Sequence, residues 1–373
     1  MRVVLLACLL ACWVPPASAA DADAPGALIR ADAIARPPAG TQAWRITYWT
    51  RTASDAPRAV TGVVVAPSEA SAGKPREVIA WTHGTWGVAH ACAPSLSPHF
   101  FEVTPGIARA VHAGRVVVAP DYPGLGSDGV HPYLVGEDTA RSVLDAVRAA
   151  AHIPGTAAGT RFAVWGESQG GHAALWTGQS AQRYAPELVL VGVAAAAPPT
   201  DLAANFRDAS DPSAKAFLTA LAAASWSQHY GLPLQLGRAR TPALIEALAK
   251  GCISLRTRLK FSTLLGILTL RRDLRQLDFG TTRPWADYVA RNSVAPALPV
   301  PLLIAQTRAD PLVAPGVTRH FARLACAAGV HVHWLDLPGG DHTTTARQSA
   351  TATLAWLADR FADHPAPDDC PRL

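Results

Sequence analysis

The sequence predicts an α/β fold on a mainly parallel sheet, with a helical block inserted late in the chain. Three observations predict it. Short apolar runs of strand length alternate with stretches of helical spacing through most of the chain. Between about 200 and 298 that alternation stops and only helical patterns remain. At residues 161–175, "RFAVWGESQGGHAAL", a buried-strand pattern turns directly into a helical one around a serine, with Gly166, Gly170 and Gly171 beside it.

Each element follows in order. After a Pro/Ala-rich lead-in, "AWRITYWTRT" and "AVTGVVVAP" alternate as paired antiparallel strands do. "REVIAWTHG" and "RVVVAPDY" are short apolar runs suited to a parallel sheet, separated by a helical stretch near 104–113. "DTARSVLDAVRAAAH" reads as an amphipathic helix, and "LVLVGVAAAAPP" as another buried strand. "AKAFLTALAAASW", "TPALIEALAKG" and "KFSTLLGILTLRRDLRQL" are helices without intervening strands. The alternation then resumes with the strand "PVPLLIAQT", the helix "VTRHFARLACAAG", the strand "VHVHWLDL" and the closing helix "RQSATATLAWLADRF". The expected organisation is a core of residues 21–199 and 299–373 with a cap over residues 200–298. "FSTLLGILTL" in that cap is apolar enough to face a substrate, with Lys260, Arg271 and Arg272 in water; an ordinary core helix is the plainer reading.

The first 20 residues, "MRVVLLACLLACWVPPASAA", combine an early cation, a short apolar run and small residues at Ala17–Ala19. That is the pattern of a cleaved secretory signal peptide, so a secreted or periplasmic location is expected. Cys8 and Cys12 hint at lipoprotein processing, but either cut would leave a very short signal. No later run has the ~18 consecutive apolar residues of a membrane span. Without Arg2 the chain carries 32 Lys+Arg against 28 Asp+Glu, scattered and without a dense block, which argues against a nucleic-acid partner. Cys92, Cys252, Cys326 and Cys370 survive signal removal, and they form neither a Cys-x-x-Cys pair nor a His/Cys cluster, so no metal is implied.

Gly166-Glu167-Ser168-Gln169-Gly170 fits G-x-S-x-G with a strand before it and a helix after it. Such an elbow holds the serine in a strained pose and aims a helix N-terminus at a developing oxyanion. Ser168 is the candidate nucleophile. His342 in "LPGGDHTTT" follows the last strand and is the candidate base. Asp310 in "TRADPLVAP" is the candidate acid, with Asp336 its rival; Asp341 is adjacent to the base and badly placed to orient it. The N–H groups of Gln169 and Thr85 are the expected oxyanion hole, with Trp86 the alternative to Thr85, and His83 reads as structural. Gly124-Leu-Gly126-Ser-Asp-Gly129 matches a dinucleotide fingerprint, but no helical pattern follows it, so no cofactor is expected.

"HGTWGVAHACAPS", "APDYPGLGSDG", "WGESQGGHAAL", "TRADPLVAP" and "GGDH", in that order across residues 76–342, resemble the α/β-hydrolase superfamily and, within it, the secretory lipase family. The resemblance implies carboxylic ester hydrolysis through an acyl-enzyme, without metal or cofactor, at Ser168, Asp310 and His342. A small-molecule or lipid ester would be the partner, with transient contact at a lipid interface. One position departs from the pattern: Glu167 stands where fungal members carry an aromatic residue. A serine peptidase, an acyltransferase or a non-catalytic binding protein on the same fold are the competing readings. On this architecture Cys92 lies at the sheet's carboxyl edge beneath Cys252, and Cys326 lies beside the tail that holds Cys370. The expected disulfides are therefore Cys92–Cys252 and Cys326–Cys370, against four free buried thiols.

Overall fold

The computed structural model describes residues 22–253 and 261–373. The signal peptide read over residues 1–20, and Lys260, lie outside them. The alternating N-terminal segments form a meander of β1 (Leu28–Ala33), β2 (Thr41–Arg51) and β3 (Pro57–Pro67), with β2 and β3 in register from Thr41–Pro67 to Arg51–Pro57. β1 falls in the stretch read as an irregular lead-in. Its side chains are half-buried or exposed, so no apolar alternation announces it.

The α/β alternation follows. β4 (Arg76–Thr82) leads through α1 (Phe100–Val103) and α2 (Ile107–His112) to β5 (Val116–Pro120). α3 (Gly136–Ala151), β6 (Ala158–Glu167), α4 (Gln169–Tyr184) and β7 (Val189–Ala196) come next. After the insertion the chain adds β8 (Leu302–Thr307), α10 (Pro315–Ala327), β9 (Val332–Leu337) and α11 (Thr345–Phe361). The nine strands make one sheet in the order β1-β2-β3-β5-β4-β6-β7-β8-β9, parallel from β5 to β9. This is the expected α/β-hydrolase arrangement.

Successive strand residues feed opposite faces, as a pleated strand requires. On β4, Val78 and Ala80 pack with Leu144 of α3 and Leu175 of α4, while Ile79 and Trp81 pack with Val111 of α2 and Leu357 of α11. Both faces of the sheet are thus covered, which explains why its strands read as unbroken apolar runs rather than alternating ones. Because β4, β6, β8 and β9 are parallel, the loops that follow them emerge at one carboxyl edge.

Between β7 and β8 the described residues hold α5 (Leu202–Asp208), α6 (Pro212–Tyr230), α7 (Thr241–Ala249), α8 (Phe261–Asp273) and α9 (Trp285–Asn292). These helices have a core of their own, in which Trp226, Phe279 and Trp285 meet Tyr133 and Leu134 of the main domain. α8 turns Leu270 into that core, buries Ile267 as well, and leaves Leu264, Leu265 and Leu268 nearly half exposed. Arg271 and Arg272 are exposed. Among its described side chains one face is thus core and the other faces solvent, which is the plainer of the two readings of this segment.

Cys92 is bonded to Cys252, and Cys326 to Cys370. The first bond joins the loop after β4 to the helical block, and the Ile253 N–H donates to the Trp86 carbonyl beside it. The second anchors the tail, where the Asp369 carboxylate accepts from the Trp334 N–H at 2.9 Å and lies 2.8 Å from His333 Nδ1.

Candidate active site

The turn between β6 and α4 is built from close approaches. A methyl on Gly166 would stand 2.0 Å from Thr82 Oγ1, and one on Gly170 would stand 1.9 Å from the Thr82 carbonyl oxygen. Both positions must be glycine for α4 to sit against β4. The chain compensates by forcing Ser168 to φ +52°, ψ −121°, a conformation non-glycine residues rarely adopt. The Ser168 N–H donates to the Ala196 carbonyl on β7, and its own carbonyl accepts the His172 N–H. The strained residue is thus fixed from both sides, with its hydroxyl at the sheet edge.

The imidazole of His342 lies with Nε2 2.7 Å from Ser168 Oγ and Nδ1 2.8 Å from Asp310 Oδ2. With Nδ1–H donating to the carboxylate, Nε2 is free to accept the serine proton. Asp310, 5% exposed, also accepts from the N–H groups of Leu312 and Val313 on Oδ1 and from Gln306 Nε2 on Oδ2. These donors hold its charge and orientation. Asp336 instead pairs with Arg308 away from the imidazole. Asp341 caps the short turn that carries the base, accepting from the Thr344 N–H and the Thr343 hydroxyl.

Thr85 lines the cavity in front of Ser168, and its hydroxyl is 2.9 Å from the Tyr133 hydroxyl. Gln169 is the first residue of α4, so its N–H has no acceptor within the helix. Its side chain is positioned by His131. Burial pushes the His131 pKa down to about 3, so the ring is neutral, and Nδ1–H donates to the Pro123 carbonyl. Nε2 then accepts from Gln169 Nε2 at 3.0 Å. His83 is buried between the carbonyls of Gly84 and Asp121 and stacked on Tyr122, and it does not bond the serine. Burial lowers its pKa.

The Gly124–Gly129 segment is a loop, and the next helix starts only at Gly136. Its Gly124 has φ +77°, and a methyl there would stand 2.3 Å from the His131 N–H nitrogen. The glycine lets the loop fold back on itself and deliver His131 to Gln169; it is not a phosphate cradle. Among the described residues, no group of three or more His, Cys, Asp or Glu could hold a metal.

Two hollows meet at Ser168 and His342. The larger, about 400 Å³, is bordered by Thr85, Trp86, Leu96 and Ile253 and includes the Cys92–Cys252 bond. The smaller, about 40 Å³, runs under Leu202, Phe206 and Leu218. The helical block therefore contributes to the site through α5, α6 and Ile253, and none of the described side chains of α8 lines either hollow. Sequence reasoning missed Gln306 and His131. Gln306 is the one strongly polar side chain in the apolar run "LLIAQT", four residues before the acid, and that was a usable signal. His131 had none, because its role comes from a loop returning in space.

The family model described as Secretory lipase matches residues 103–369. A Mycobacterium tuberculosis protein named "Probable inactive lipase" is 26% identical over 95% of this chain and 82% of its own. Candida antarctica lipase A in its closed state superposes with a TM-score of 0.74 at 18% identity, covering 92% of this chain and 85% of the lipase. The rice cell wall degrading esterase LipA of Xanthomonas oryzae superposes at 0.68 with 20% identity, over 91% and 99% of the two chains. At such identities the structural likeness speaks to the fold alone.

Proposed function

Since the chain belongs to the secretory lipase family, we propose that it is a serine hydrolase of carboxylic esters, working through Ser168, His342 and Asp310. The observation that carries the reading is the continuous hydrogen-bonded line from Ser168 Oγ through both imidazole nitrogens to a buried carboxylate. In the proposed cycle Ser168 Oγ attacks the ester carbonyl while its proton passes to His342 Nε2. Asp310 holds Nδ1–H and stabilises the imidazolium. The developing oxyanion is met by the Thr85 and Gln169 N–H groups and the positive end of α4. Collapse expels the alcohol, which takes the proton from His342. Water, deprotonated by the same imidazole, then releases the acid from the acyl-serine.

A non-catalytic reading draws on the name of the Mycobacterium relative. Against it, nucleophile, base and acid positions are all filled here, and their side chains are within bonding distance of one another. We place the enzyme outside the cytoplasm, after removal of residues 1–20, where its two disulfides are stable. The helical block of residues 200–298 serves as a cap that shapes the acyl site. The exposed Leu264, Leu265 and Leu268 give that cap an apolar patch for transient contact with a lipid surface.

Ser168→Ala is expected to fold and to lose at least ~10³-fold in ester turnover. A fluorophosphonate probe should label the wild type and not the variant. Labelling at another serine, or full turnover by the variant, would refute the assignment. A p-nitrophenyl ester series, dissolved and at an oil–water interface, measures chain-length preference and interfacial dependence.

A further inference from the structure

Directly beside the nucleophile stands a charged group that the proposed cycle does not use. Glu167, the residue before the nucleophile, is half-buried and borders both the larger hollow at Ser168 and a second one behind it, lined by Trp81, His83 and Phe100. Its carboxyl reaches the loop of the expected oxyanion hole: a methyl on Gly84 would stand 3.6 Å from Glu167 Oε1. Among the described residues it has no hydrogen-bond or ion-pair partner. Two fully buried carboxylates among the described residues are, by contrast, satisfied. Asp121 accepts from Thr61 and the Ser95 N–H, and Asp145 accepts from Thr50, Tyr184 and Arg148.

A partly desolvated carboxyl without a bonding partner costs stability unless something else bonds it. Burial pushes its pKa up to about 7, against the opposing pull of His342 and Arg347. A purely structural position would be better filled by an apolar residue. The carboxyl faces the space a substrate occupies, so the partner it lacks is one a substrate brings.

We propose that Glu167 is a specificity-determining residue that selects esters whose leaving alcohol carries a further free hydroxyl, as a monoacylated polyol does. The proposal rests on the ester-hydrolase reading. A hydroxyl suits the site better than a cation. The imidazolium that forms on His342 during the reaction, and Arg347, would both repel a positive group beside Glu167. A neutral hydroxyl bonds the carboxyl in either protonation state. The leaving alcohol is the relevant half of the ester because it departs first, while the acyl group stays on Ser168. The larger hollow reaches exposed residues such as His99 and Thr343 and is its exit, whereas the smaller one is walled by cap helices.

The test compares kcat/KM for glycerol monobutyrate and propyl butyrate, which differ only in the hydroxyls, each normalised to its alkaline hydrolysis rate. The wild type should favour the glycerol ester by at least ~5-fold, the scale of one hydrogen bond of about 1 kcal/mol. That ratio should rise from pH 6 to pH 8 as Glu167 ionises and becomes a stronger acceptor. The groups that face the carboxyl are His342, Arg347 and Tyr122, whose pKa burial raises well above its ordinary value, and any pH dependence the two substrates share cancels in the ratio. Glu167→Gln should show a smaller, pH-independent ratio, and Glu167→Leu a ratio near one. A wild-type ratio near one, or a ratio in Glu167→Gln as high as that of the wild type at every pH, overturns the proposal even if Glu167→Leu does not fold. Fluorophosphonate labelling and p-nitrophenyl butyrate turnover of the wild type separate this outcome from failure of the hydrolase reading, in which neither is seen.

Discussion

At Ser168 the backbone occupies a region that ordinarily costs on the order of 1–3 kcal/mol, and the Ala196 and His172 hydrogen bonds on either side hold it there. Similar over-determination surrounds Asp310, whose oxygens accept from Gln306, Leu312, Val313 and His342. Asp310→Asn keeps the volume but replaces an acceptor oxygen with a donor amide. The altered group either faces Nδ1 as a donor, imposing the wrong tautomer, or loses its charge toward the imidazolium. We expect kcat to fall by ~10²–10⁴-fold with KM nearly unchanged, measured with a soluble p-nitrophenyl ester. A fall of less than tenfold would remove Asp310 from the proposed cycle. The serine was legible in five residues because the motif is local. The candidate acid was legible as Asp310 with Asp336 still its rival, since loop length does not reveal which carboxylate reaches a ring 32 residues away in sequence. The isolation of Glu167 was not legible at all, because lacking a partner is a property of the folded surroundings.

Among the elements, those with a two-sided or one-sided apolar pattern were readable and those without were not. β1 has exposed side chains, α5 spans only Leu202–Asp208, and α9 only Trp285–Asn292, too short for helical spacing to stand out. The orientation of α8 stayed open between substrate and core for a different reason: "FSTLLGILTL" is apolar all round, so periodicity could not say which face meets the core. α6 has the clearer claim to shape the substrate. Leu218 borders both hollows at Ser168. Leu218→Trp should narrow them and shift preference toward shorter esters, with kcat/KM for a long-chain p-nitrophenyl ester falling at least ~10-fold relative to the acetate. An unchanged profile in a variant of unchanged thermal stability would show that α6 does not bound the substrate.

Across the whole molecule, the Cys92–Cys252 bond turns a linear chain into a ring with two tails. Ser168 lies inside the ring. Asp310 and His342 lie in the tail beyond it, where Cys326–Cys370 closes a second, separate ring. A single backbone cut therefore has different consequences depending on which side of Cys252 it falls. Protease sites engineered at the exposed positions Ala239 and Arg283 would test this. A cut at 239 opens the first ring but leaves its halves joined, so on a denaturing gel the fragments should separate only after reduction. A cut at 283 should release two fragments without reductant, because no covalent link crosses it. If the 239 fragments part without reductant, the ring does not exist in solution. Ser168 and His342, the proposed nucleophile and base, would then sit on different molecules in the second nicked form but not in the first. Recovery of activity after dilution from denaturant should accordingly depend on protein concentration for the cut at 283 and be independent of it for the cut at 239.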